Sequence, residues 1–149
     1  MSNIDLEARA AIQDLMLRYA LAVDGRDIGG FCSLFSEDAV ISGFTPEPLR
    51  GAKDMGACVD KALTLFSATQ HLISPPLVQI TGDTAHAQTP VQAIHFYKDK
   101  DKGNFTLWGT YETDLIRVGG EWKIRNHCLV TLANNMPRTN AERWAHAGR

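Results

Sequence analysis

YALAVDGRD, Tyr19 to Asp27, closes an apolar helical run with a carboxylate, Asp24. From Asp5 to about Asp24, apolar residues fall at Ile12, Leu15, Met16, Tyr19, Ala20 and Val23, the i, i+3, i+4, i+7 pattern of an amphipathic helix. On the helical wheel Asp24 lies beside Ala20 and Leu17 and away from Asp14 and Arg18, at the margin of the buried stripe. A helix C-terminus carries partial negative charge, so an acid there is disfavoured and its pKa is expected to tend upward. The placement costs stability unless a donor or cation meets the carboxylate. The same residues, Asp24-Gly25-Arg26-Asp27, also suit a solvated turn held by local hydrogen bonds.

Working outward, Asp27 can cap a second, shorter helix through Phe35, with Phe31, Leu34 and Phe35 buried. Ala39 to Phe44 reads as a short strand and Pro46 to Pro48 as a loop. Lys53 to Phe66 reads as a third helix burying Met55, Val59, Ala62, Leu63 and Phe66. Beyond His71 the character changes to long segments rich in β-branched and aromatic residues. These are Leu77 to Thr81, Thr84 to Tyr97, Phe105 to Val118 and Glu121 to Leu132. Gly82-Asp83, a solvated KDKDKGN turn and Gly119-Gly120 separate them. The polar tail from Asn134 suggests a short helix around Trp144. Helices first and an antiparallel meander afterwards imply an α+β domain, with helices packed on one curved sheet and a ligand pocket between the layers.

The 149 residues fit one domain, 1–149. The 44% hydrophobic and 21% charged content is that of a globular chain. A formal net charge of −2 offers no electrostatic basis for binding nucleic acid or an anionic membrane. No apolar run approaches the ~20 residues that span a bilayer. The first ten residues lack the apolar core of a signal peptide. Cys32, Cys58 and Cys128, odd in number and far apart, read as reduced thiols of a cytoplasmic protein. No HExxH or paired-cysteine spacing points to a metal, and no GxGxxG, GxxxxGK[ST] or GxSxG points to nucleotide binding or serine hydrolysis.

His71, within ATQHLISPP (Ala68 to Pro76), sits at the expected junction between helices and sheet, among apolar neighbours. Alone, such a histidine reads as a hydrogen-bonded core residue. Against an acid it becomes something else. A carboxylate on one imidazole nitrogen fixes the tautomer and leaves the other nitrogen as a base. On strand alternation Leu107, Gly109, Tyr111 and Thr113 share a face, with Gly109 leaving room beside Tyr111 to donate to a substrate oxygen. His127 follows on the last strand. His86 and His95 have opposite parity, so at most one faces the pocket unless a bulge intervenes. His146 lies in the tail and is set aside.

The order helix, YALAVDGRD, FCSLF, strand, helix, TQHLIS, long strands and GGEWKIRNH resembles the SnoaL-like branch of the nuclear transport factor 2-like superfamily. Within it, the opening helix and TQHLIS are similar to the scytalone dehydratase and hexachlorocyclohexane dehydrochlorinase group. The resemblance covers nearly the whole chain. It implies a cone-shaped α+β barrel enclosing an Asp–His dyad, with Asp24 as orienting acid and His71 as base. It implies elimination of water or chloride without a cofactor. It also implies a homo-oligomer, with a trimer favoured and a dimer common elsewhere in the superfamily.

The chain departs from the group where leaving group and substrate are selected. Val23 stands where the dehydratase has a tyrosine, and Gly109 and Tyr111 replace its later serine and asparagine. Tyr19 and His127 replace the dehydrochlorinase's lysine and arginine. The expected function is a dehydratase-like lyase for a small, mostly apolar hydroxy-carbonyl compound, with Tyr19, Tyr111 and His127 as substrate-binding residues. The alternatives are an isomerase or cyclase on the same fold, or a non-catalytic ligand-binding or assembly subunit resembling ring-hydroxylating oxygenase β subunits.

Overall fold

A computed structural model gives the protein's structure and describes residues 3–136. The elements run α1 (Asn3–Asp24), α2 (Ile28–Cys32), β1 (Phe35–Ser42), β2 (Leu49–Arg50), α3 (Ala52–Leu63), β3 (Phe66–Ile73), β4 (Leu77–Thr81), β5 (Thr84–Tyr97), β6 (Asn104–Val118) and β7 (Glu121–Asn134). A single 3₁₀ turn, Lys100–Lys102, joins β5 to β6 and is capped by the Asp99 side chain. The strands form one sheet in the order β2-β1-β7-β6-β5-β3, with β4 also pairing β5. Every pairing is antiparallel except β1 with β7. The helices pack on one face of this curved, unclosed sheet.

Alternation decides that face. On β5, Ala85, Ala87, Thr89, Val91 and Ala93 are buried, and their small size lets the helical layer approach closely. Opposite them α1 presents Ile12, Leu15, Met16, Tyr19 and Val23 at helical spacing. Burying each large apolar side chain contributes about 1.5–3 kcal/mol. Arg9 pins the helix to the sheet by donating to the Val78 carbonyl at 2.6 Å.

Three boundaries differ from the sequence reading. The helix after Asp27 stops at Cys32, and β1 begins at Phe35. Two glycines weaken this helix, and the Leu34 carbonyl already accepts from Ile124 N–H at 2.8 Å, drawing the chain into the sheet. The third helix ends at Leu63, so Phe66 and His71 both belong to β3. The reason is β5, whose 14 residues are long enough to template β3 on its second half and β4 on its first. Pro75 and Pro76, which lack an N–H, break the edge between the two strands. His71 is therefore a strand residue and not a junction residue. The expected helix around Trp144, and His146, lie outside the described residues.

Candidate active site

Asp24 is the last residue of α1, and the turn after it is a Schellman cap. Asp27 N–H donates to the Ala22 carbonyl at 2.9 Å and Arg26 N–H to Val23 at 3.1 Å. The left-handed position of this cap, which usually takes glycine, is occupied by Arg26 at φ 59°. Its guanidinium offsets that strain by donating to the carbonyls of Leu63 at 2.9 Å and Phe66 at 2.8 Å. The helix end is thereby tied to the start of β3. Asp27 caps α2 by accepting from Gly30 N–H, as the sequence indicates.

Alternation on β3 turns Thr69 and His71 towards that helix end. Asp24 Oδ1 lies 2.6 Å from His71 Nδ1 and accepts from the Thr69 hydroxyl at 2.9 Å; Oδ2 accepts from the His71 backbone N–H at 2.8 Å. A carboxylate can only accept, so Nδ1 carries a proton, and in the neutral ring Nε2 is the nitrogen that can act as a base. The pair is largely enclosed, with side-chain exposures of 9% for His71 and 20% for Asp24.

The Asp24 pKa runs opposite to the sequence expectation. Burial does push the carboxyl upward, but the hydrogen bonds from the His71 ring, the His71 backbone and the Thr69 hydroxyl prevail, and the net shift is down. The donors that meet the carboxylate outweigh both desolvation and the helix dipole.

Around this pair the sheet's inner face supplies further polar groups. His95, opposite Thr69 in register, sets its ring edge-on to His71 with centroids 5.7 Å apart. His95 Nδ1 donates to the Phe105 carbonyl at 3.3 Å, which leaves its Nε2 as an acceptor. Burial, and then the neighbouring His71, lower its pKa, so His95 is neutral at pH 7. As their opposite parity requires, His95 points inward, and His86 lies on the outer face with Asp114 and Glu112.

Tyr111 and Tyr19 are fully enclosed and hydrogen-bonded to each other. Burial raises both phenols. Their mutual contact acts in opposite senses on the two phenols, raising Tyr19 and lowering Tyr111. The Asp24 charge reaches Tyr111, placing the two in one electrostatic environment. Gly109 does not serve to leave room beside Tyr111, as the sequence reading had it. A Cβ there would stand 2.5 Å from the Val130 carbonyl, so glycine is needed for close approach of β7 at a bulge.

His127 is stacked on Phe44 and packs at a tilt against Tyr19 and Tyr111. Its Nδ1 pairs with Thr113 Oγ1 at 2.9 Å, and its buried Nε2 has no hydrogen-bond partner among the described residues. Burial pushes its pKa down to about 3, so it is a neutral polar group. Of the five residues picked from the sequence, Asp24 and His71 thus form one pair, and Tyr19, Tyr111 and His127 form a buried ring cluster. Thr69 was missed as a member, although it lies two residues from His71 on the same strand, whereas the sequence left His95 open against His86. Among the described residues no three His, Cys, Asp or Glu side chains are grouped to hold a metal ion. A groove of about 580 Å³ opens elsewhere, on the outer face between Asp38, His86, Asp114 and Arg125, but these charges are already paired with one another or with neighbours.

An open, curved, mostly antiparallel sheet covered by N-terminal helices defines a cystatin-like α+β fold of the nuclear transport factor 2 type. The chain belongs to the SnoaL-like domain family, whose sequence pattern matches residues 5–127. Among solved structures it is similar to a candidate scytalone dehydratase from Novosphingobium aromaticivorans DSM 12444. That likeness has 23% identity and a TM-score of 0.85, covering 94% of each chain. It is also similar to a type 2 hexachlorocyclohexane dehydrochlorinase, LinA, at 20% identity and TM-score 0.81, covering 93% of this chain and 95% of that one. A candidate aromatic ring hydroxylase from N. aromaticivorans shares 29% identity at TM-score 0.76, covering 86% and 91%. No curated protein sequence matches the chain significantly.

Proposed function

We propose that this protein is a cofactor-independent lyase, a dehydratase acting on a small, largely apolar hydroxy-carbonyl compound, cyclic substrates included. The observation that carries the reading is the enclosed Asp24–His71 pair, with Nδ1 committed to the carboxylate and Nε2 outside that contact. His71 Nε2 takes the proton alpha to the substrate carbonyl, and Asp24 stabilises the imidazolium that forms. The electron pair left on carbon forms the new double bond as the β-hydroxyl departs. The Tyr111 hydroxyl is the group assigned to donate to the carbonyl oxygen while it carries negative charge. His127 Nε2 offers a second polar contact to the substrate.

The leaving hydroxyl needs a proton to depart as water. Neutral His95 cannot supply it, but its Nε2 can accept a hydrogen bond that orients the hydroxyl. The proton then comes back from the His71 imidazolium, so one imidazole serves both halves of the elimination and atoms balance as substrate to alkene plus water. The similarity to dehydratase and dehydrochlorinase structures supports a lyase of this kind.

The test is a panel of β-hydroxy-ketones followed by loss of water. Asp24→Asn and His71→Ala should each reduce turnover by about 10²–10⁴-fold, the usual worth of a placed general base. Turnover surviving both changes sinks the mechanism. Alpha-proton exchange into deuterated water without elimination would redirect the same base to an isomerase or cyclase.

A second reading, a non-catalytic ligand-binding or assembly subunit, draws on the 29% identity to a candidate aromatic ring hydroxylase. Fold alone decides neither. The same proposal takes residues 1–149 as one cytoplasmic domain and the protein as a homo-oligomer, a trimer ahead of a dimer. The outer sheet face supports self-association: Leu72, Phe96, Trp108, Val130 and Leu132 are all exposed there. Light scattering distinguishes trimer, dimer and monomer.

A further inference from the structure

We propose that Thr69 is a positioning residue, whose hydroxyl on Asp24 Oδ1 holds the carboxylate in the one orientation that keeps the His71 proton on Nδ1. The proposal rests on the Asp24–His71 reading above and adds to it the group that sets its geometry.

Asp24 accepts three hydrogen bonds. Two of them come from one residue, the ring and the backbone N–H of His71. Two contacts to a single partner define a line, about which the carboxylate and the imidazole can still rock together. A third contact away from that line removes the freedom. The Thr69 hydroxyl is that contact, and it comes from the residue two positions earlier on the same face of β3. The strand pairing places it: Thr69 and His71 sit opposite His95 and Ala93 on β5.

Threonine suits this task better than serine by one property. Its β-branch restricts χ1, so the strand backbone sets the direction of the hydroxyl in advance. The hydroxyl has no other hydrogen bond among those found for the described residues. It also shares Oδ1 with the imidazole N–H, so it helps keep Asp24 ionised while leaving Oδ2 to the backbone. A side chain serving only to fill the strand would not need the hydroxyl.

The test follows the His71 ring by ¹⁵N-imidazole NMR across pH in wild type, Thr69→Val, Thr69→Ser and Asp24→Asn, each checked for folding by circular dichroism. Thr69→Val keeps the shape and removes the donor. Its expected result is a fall of about tenfold in the ratio of Nδ1–H to Nε2–H tautomers, the scale of one hydrogen bond to a charged group. Thr69→Ser, which keeps the donor without the β-branch, moves the signals back towards wild type. A folded Thr69→Val with wild-type tautomer and titration overturns the proposal, as does a folded Thr69→Ser whose signals match those of Thr69→Val. Should Thr69→Val not fold, Thr69→Ala takes its place with the same expectation. Asp24→Asn separates the two levels: if it leaves His71 unchanged, the Asp24–His71 pair itself is refuted and Thr69 with it. If Asp24→Asn alters His71 and Thr69→Val does not, only the role of Thr69 falls.

Discussion

The sheet carries a histidine against acids on each of its faces, and the two arrangements behave differently. Inside, His71 meets one carboxylate, Asp24, through Nδ1, and Nε2 stays free to act. Outside, His86 meets two: Nδ1 lies 2.7 Å from Asp114 and Nε2 3.0 Å from Glu112. Both nitrogens of His86 then face a carboxylate, which favours the imidazolium and leaves neither nitrogen free. Hydrogen bonding to Asp114 is the largest cause of its raised pKa, opposed by burial and assisted by Glu112. Exposure differs as well, at 9% for the His71 side chain against 42% for His86. Counting acceptors around a ring separates a base from a salt bridge. A histidine with one acid keeps a nitrogen for a substrate; a histidine with two has both nitrogens engaged.

Turnover is the widest measure of that contrast. With a hydroxy-ketone that the wild type dehydrates, Asp24→Asn should cost about 10²–10⁴-fold. His86→Ala should stay within about twofold of wild type. Equal losses from the two would erase the distinction between the faces.

Acid stability gives a second measure. His127 is buried and neutral, with a pKa near 3 against about 6.5 in an unfolded chain. As pH falls below about 6.5 the unfolded state takes a proton that the folded state refuses, so stability drops at up to about 1.4 kcal/mol per unit. His95, also lowered, acts in the same sense. The depressed Asp24 adds its loss only lower, as pH falls below about 4 and through its folded pKa. Urea midpoints between pH 6.5 and 4.5 should therefore fall more steeply in wild type than in His127→Gln. Equal slopes would mean that His127 titrates normally.

Arg26→Gly sharpens the comparison from the inner side. Glycine relieves the left-handed strain but removes two guanidinium bonds to Leu63 and Phe66. A net loss of about 1 kcal/mol is expected from thermal unfolding. A gain in stability would show that the clamp contributes less than the strain it relieves.

The smallest effect belongs to His86. Its raised pKa gives stability that is present below the unfolded pKa and lost as pH rises through the folded one. The groups are substantially exposed, so solvent screening limits this to about 0–1 kcal/mol, and salt should reduce it further. His86→Gln compared with wild type at pH 5.5 and 8.5 measures it. A salt-insensitive difference would argue against an ion pair.

Much of the fold was legible because periodicity is local. The stripe ending at Val23 is a helix, and the four segments from Leu77 onward are strands with nearly the expected ends. The errors fall where a distant partner competes with local preference. Phe35 and Phe66 fit an apolar helical pattern, yet each is claimed by a neighbouring strand, β7 and β5 respectively. The left-handed residue of the first cap is Arg26 and not the adjacent Gly25, because only the arginine reaches the α3–β3 junction.

By itself, the sequence determined the layers, the parity that separates His86 from His95, and the two residue types whose pairing makes a base. It did so because helix and strand periods are set by backbone geometry within a few residues. Tertiary structure alone decided that Asp24 and His71, 47 positions apart, touch at 2.6 Å. It decided also that the acid is stabilised at a helix end that disfavours it. Those outcomes depend on where the long β5 places β3 against α1, and no local pattern in the chain encodes that distance.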